Sequence, residues 1–339
     1  MLRAHVALLT LLAGSLSLSA CMSNASSVVP RGVTADALRP NAAGPSTIPF
    51  YRSSFAYGGQ TYPFTMVGSN PLNAGRTTTV TAVIVPVKLS FSNGVALDPT
   101  ALAPDVVKSP LFTAAPFVDG TAQFGDAVMR AEFWSFVKKK HYHVLLSAAP
   151  IAPTVTLSVP STDGYTASSR GATLGYLSFS WFVQTMEPLI VAQLKIPPTE
   201  LTIFVTYHTD VLEPGSHCCY RGYHYAFTPP GASGTWTTAW ASVTKNNVEV
   251  LSHEVAEWLN DPFYTNAVPA WIEPETGACG GALLEVGDPV TNHAVRTGGF
   301  RLQDIAFFSW FTRQTPSIAF GGRYDLDGDL KAPAANCTT

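Results

Sequence analysis

The stretch Leu251–Pro289 reads LSHEVAEWLNDPFYTNAVPAWIEPETGACGGALLEVGDP. Val248, Leu251, Val255 and Leu259 recur at steps of three and four, the spacing of one helix face. Thr244-Lys245-Asn246-Asn247 supplies capping residues before this run, and Asn260-Asp261-Pro262 ends it. A helix is therefore expected from Val248 to Leu259. His253 and Glu257 stand four apart within it, so helical geometry stacks one above the other. Three acids, Glu254, Glu257 and Asp261, crowd one histidine and repel one another unless a cation or an Arg sits among them, a metal being the economical explanation. Two readings follow. Either His253 and Glu257 hold a metal ion with Glu254 beside them to handle a proton, or a hydrogen-bonded structural histidine stands among solvated acids.

The H-E-x-x-E order of His253, Glu254 and Glu257 resembles the H-E-x-x-H helix of the zincin metallopeptidases, with Glu in place of the second His. A carboxylate is a competent zinc ligand, although it lowers the effective charge of the ion. About forty residues also resemble exported proteins related to the plant phosphate-induced, or exordium-like, group. That likeness rests on His253, Glu254, Ala256, Glu257, Pro262, Asn266, Trp271, Glu285 and Asp288, with Cys279 preceding the E-x-x-D segment rather than following it. The zincin resemblance implies a third ligand downstream. Glu285 is the first candidate and Asp288 the second, as a ligand or as a partner orienting His253 through its other ring nitrogen. The implied cofactor is Zn2+, although so oxygen-rich a set also suits manganese or calcium. The implied activity is hydrolysis of a peptide or protein by metal-activated water, with Glu254 as general base. The exordium-like resemblance implies the alternative, a non-catalytic exported protein whose HExxE cluster is a structural metal or ionic site.

Outward from this stretch, composition bounds the class. The chain has 339 residues and is 46% hydrophobic, enough for a substantial core, while only 13% are charged. A typical soluble domain has about 25% charged residues, so the deficit suits an exported, loop-rich and sheet-rich protein. A formal net charge of -3 gives no reason to expect nucleic acid, and the one basic run, Lys138-Lys139-Lys140, reads as a solvated helix end.

Met1-Leu2-Arg3 and the apolar run Val6 to Leu18 read as a signal peptide, too short for a comfortable membrane span. Leu18-Ser19-Ala20-Cys21 resembles the bacterial lipobox, which implies lipid on Cys21 and attachment to a membrane. Met22 after the cysteine implies the outer membrane of a bacterial cell envelope. The expected organisation is a lipoprotein signal peptide over 1–20, a flexible tether over 21–47 and one α+β domain over 48–339. That domain is expected to hold a twisted, mainly antiparallel sheet with helices packed on it.

Cys218, Cys219, Cys279 and Cys337 remain as disulfide candidates, with three pairings possible. Adjacent Cys218 and Cys219 are expected to bond distant partners. His224, beside them, is read as a packed aromatic or as a group that reaches the cleft with Tyr223. Thr78 to Phe91 reads as a strand, with Pro86 favouring an edge or a bulge. Gln123 to Val137 reads as an amphipathic helix with an Asp126–Arg130 surface pair. Ser178 to Lys195 reads as a second helix with Pro188 in its first turn, and Leu201 to Tyr207 as a buried strand. Asp325-Leu326-Asp327-Gly328-Asp329 lacks the closing Glu of a calcium loop and reads as an acidic turn.

Overall fold

Thr77–Phe91, rich in β-branched residues, is the longest strand and lies inside a seven-stranded mixed sheet. A computed structural model describes residues 46–73, 75–169, 171–215 and 219–337. The expected signal segment, Cys21, most of the tether and Cys218 lie outside those residues. On one side of the long strand comes Leu201–Thr206, then Trp236–Ser242, then the edge strand Gly222–Phe227. On its other side lie His143–Ala148 and, further along, Val155–Val159. Leu201–Thr206 is wholly buried, as its apolar sequence requires. The molecule is α+β, with its sheets antiparallel or mixed.

Pro86 therefore sits in an inner strand rather than at an edge. Ala82 and Ile84 send their carbonyls to the amides of Ala149 and Ala152. Pro86, two residues on, faces the same side, where residues 149–154 connect the two neighbouring strands. No ladder amide is required there, so the missing N–H is tolerated.

Alternation along the sheet separates two cores. Val80, Ala82, Ile84, Ile203, Ala239 and Ala226 face one apolar cluster, which contains the helices Glu249–Asn260 and Phe124–Glu132. Val85, Val87, Phe204, Trp240 and Phe227 face a second cluster, covered by the helical segment Phe179–Leu194. The α-helix Glu187–Leu194 has Pro188 in its first turn as expected, and the covering segment extends further back. Its middle, Phe182–Met186, is a π-helical stretch, which accommodates the amide that proline lacks.

The expected helix over Gln123 to Val137 breaks at Phe133 into Phe124–Glu132 and Trp134–Val137. Its Asp126–Arg130 surface pair does not form. Asp126 is buried and accepts from the Val144 amide at 3.0 Å, with His143 Nδ1 at 2.9 Å. Arg130 turns instead to the Tyr142 carbonyl at 2.5 Å. Among the described residues, no helix is long and apolar enough to cross a membrane.

Candidate metal centre

The helix Glu249–Asn260 is fixed at both ends by side chains. Asn247 Oδ1 accepts from the Glu249 amide at 3.0 Å, satisfying one of the free donors of the first turn. Arg301 forks onto the Glu249 carboxylate, and Ser252 Oγ accepts from the Gln303 amide at 2.9 Å. At the other end, Asp261 accepts from the amides of Thr265 and Asn266, both at 2.8 Å. Asn266 then braces the helix to strand Gln60–Val67. Its Oδ1 accepts from the Thr65 amide, and its Nδ2 donates to the carbonyls of Thr65 and Asn260. These contacts give Asn260-Asp261 and Asn266 a structural purpose.

From Leu251 to Asn260 every residue is buried. Glu254, Glu257 and Asp261 are therefore not solvated, so the structural alternative would need a buried ionic cluster rather than solvated acids. His253 Nε2 lies 3.1 Å from Glu257 Oε1 and 3.5 Å from Asp288 Oδ1. Asp288 thus faces the same ring nitrogen as Glu257 rather than the other one. The opposite oxygen, Glu257 Oε2, lies 3.4 Å from His224 Nδ1. Glu254 spans the same gap, with Oε1 at 4.0 Å from His253 Nε2 and Oε2 at 3.7 Å from His224 Nδ1.

His224 comes from the edge strand Gly222–Phe227 and was read from sequence mainly as packing. Gly222, His224 and Ala226 occupy the face turned to the helix, while Tyr223, Tyr225 and Phe227 belong to the opposite core. Tyr223 does not reach the centre; its hydroxyl donates to the buried Glu187 at 2.6 Å. The signal for His224 was present as period-two alternation, but nothing in sequence says which helix covers that face.

The turn around Asp288 completes the centre. The Gly287 amide donates to Glu257 Oε1 at 3.1 Å, and Gln303 Nε2 holds the Gly287 carbonyl at 2.6 Å. A Cβ on Gly287 would lie 2.3 Å from His253 Nδ1, and one on Gly222 would lie 2.6 Å from Glu254 Oε1. Both glycines are therefore dictated by close approach. The donor groups near enough to share an ion are His253, Glu257 and Asp288 on one side and His224, Glu257 and Glu285 on the other. The two downstream candidates thus serve different histidines.

Electrostatics tighten the picture. Burial works against charging either imidazole, yet the surrounding carboxylates raise the pKa of both His253 and His224. Burial also pushes Glu257 up, but the two rings outweigh it and hold this carboxylate below its usual range. Burial, with Glu257 next, raises Glu285 and Asp288. Glu254 is likewise raised by burial, against the pull of His253. The Lys and Arg ion pairs of the described residues lie elsewhere, none on Glu254, Glu257, Glu285 or Asp288. His224 Nε2 and Glu285 Oε1 are buried with no hydrogen-bond partner. Buried anions and an orphaned imidazole nitrogen fit a divalent cation. Asp288, whose side chain is 26% exposed, and the half-buried Glu285 lie at the margin of the centre.

Cys279 and Cys337 form a disulfide that ties the hairpin Ala267–Ile272 and Cys279–Leu283 to the C-terminal segment. That pairing removes both from the reach of Cys218 and Cys219. Cys219 carries a free thiol 3.5 Å from Asp210, pushed up to about 11 by burial and that carboxylate. Asp325–Asp329 is an acidic turn. Asp325 accepts from the Leu330 amide at 2.6 Å, and the Asp327 amide donates to Asp304 at 2.9 Å. Comparison with protein-family models, with curated proteins and with solved structures finds no match.

Proposed function

We propose that the chain is a metal-dependent hydrolase acting on peptides or proteins, tethered to the bacterial envelope through Cys21. One observation carries this reading: two histidines and four carboxylates converge in a largely buried site, and the Lys and Arg ion pairs of the described residues lie elsewhere. A bound divalent cation such as Zn2+ supplies a Lewis acid that polarises a carbonyl and acidifies water. His253, Glu257 and Asp288 would hold it. Glu254 faces both histidines, and burial raises its pKa toward the working range of a general base. Its carboxylate would accept the proton of the attacking water. Asp288, at the mouth, is where substrate enters.

A second reading is favoured by the depth of the site. The side chains of His253, Glu254 and Glu257 are 9%, 6% and 3% exposed, which suits a structural ion or an ionic cluster in a non-catalytic exported protein. Hydrolysis of a peptide library by wild type, lost in Glu254→Gln with metal content unchanged, supports the enzyme. No hydrolysis by metal-loaded wild type sinks it and leaves the structural reading. Lipid attachment is checked separately by incorporation of labelled palmitate, which Cys21→Ala should abolish.

A further inference from the structure

We infer that the centre binds two divalent cations, bridged by the carboxylate of Glu257. The inference deepens the metal-dependent reading above and rests on it. Each oxygen of Glu257 faces a different imidazole, Oε1 toward His253 at 3.1 Å and Oε2 toward His224 at 3.4 Å. One carboxylate turned to two donors in this way is the geometry of a bridge. Two-metal sites of this kind hold their ions about 3.5–4 Å apart.

The remaining donors divide the same way. Asp288 joins His253, Glu285 joins His224, and Glu257 alone belongs to both groups. Neither group contains both histidines. A single ion gathers its donors at about 2.0–2.2 Å from itself, so they stand within about 4 Å of one another. One cation among these residues therefore leaves one imidazole and one carboxylate unused.

Charge count points the same way. With their protons displaced, as metal binding requires, Glu254, Glu257, Glu285 and Asp288 bring four negative charges into a largely buried site. Two divalent cations with neutral histidines cancel them, whereas one leaves two charges unbalanced in a low-dielectric interior. The second position also has an orphaned donor atom, Glu285 Oε1, buried and without a partner. His224 is only 6% exposed. Two imidazoles and three carboxylates favour manganese or iron over zinc, because oxygen-rich sets suit harder ions.

The test is a titration of the metal-free full chain with Mn2+, read by bound metal after dialysis and by electron paramagnetic resonance. Two equivalents and the spectrum of an exchange-coupled pair are expected. His224→Ala should fall to one equivalent with the spectrum of an isolated ion, and so should His253→Ala. One equivalent in wild type, or two without coupling, overturns the bridged pair and leaves the mononuclear reading standing. No bound metal at all overturns both. The wild-type spectrum decides the matter even where a variant fails to fold.

Discussion

Glu257 and His253, one helical turn apart, meet at 3.1 Å within a stretch of helix, residues 251–260, that is buried all round. An i,i+4 ion pair on a surface helix contributes only a few tenths of a kcal/mol. Here the pair is buried beside further carboxylates, so its stability depends on what balances the excess negative charge. Chelation should therefore destabilise the whole fold. A ligand present at a hundred times its Kd stabilises by about 2.7 kcal/mol. Removing metal with EDTA is expected to lower Tm by about 5–10 °C, recovered on adding Mn2+ or Zn2+. An unchanged Tm in scanning calorimetry would mean that the carboxylates are balanced by protons alone.

Gly287→Ala tests the close approach at the centre. The added Cβ meets the His253 ring at 2.3 Å, so the ring or the turn must shift. The turn also carries the amide that orients Glu257. Metal affinity is expected to fall about tenfold or more, equivalent to about 1.4 kcal/mol, with the far-ultraviolet circular dichroism retained. Unaltered affinity by calorimetric titration would show that the turn is free to move.

Asn266→Ala tests the brace between the helix end and strand Gln60–Val67. It leaves the Thr65 amide and the carbonyls of Thr65 and Asn260 without their partner in a buried place. Each such orphan costs about 1–3 kcal/mol. A loss of about 3–5 kcal/mol is expected from the urea midpoint and slope. A loss below 1 kcal/mol would mean that water replaces the side chain.

Glu187 provides a pH signature away from the centre. It is fully buried, accepts from Tyr223 and Thr238, and burial pushes it up to about 8. The folded state therefore holds a proton that the unfolded chain releases near pH 4.5. Between those values the native state binds more protons, so this group's contribution is full below pH 4.5 and declines as pH rises to about 8. The slope is on the order of 1 kcal/mol per pH unit. Glu187→Gln keeps the shape and removes the titration, so its Tm should fall less than wild type from pH 5 to pH 8. Parallel curves would refute the assignment.

Much of this was legible in the residues. Spacing alone placed the helix from Val248 onward, stacked His253 on Glu257, and marked Leu201 to Tyr207 as a buried strand. Both properties are local, set by a period of 3.6 or 2. Pro86 and Asp126 misled for one reason. A residue's own preference says nothing of its neighbours across the sheet, and those neighbours supply the gap that tolerates Pro86 and the Val144 amide that holds Asp126. The cysteines were equally silent, because pairing is a matter of distance in space.

The sequence by itself determined the donor chemistry of the helix: one imidazole and its carboxylates, brought together by a single turn of backbone. Only the tertiary structure decided that an edge strand thirty residues earlier turns His224 toward the same glutamates. It also sent Glu285 and Asp288 to opposite histidines. Helical stacking is fixed by bonds within the segment, whereas the meeting of strand, helix and turn follows from burying a shared apolar core.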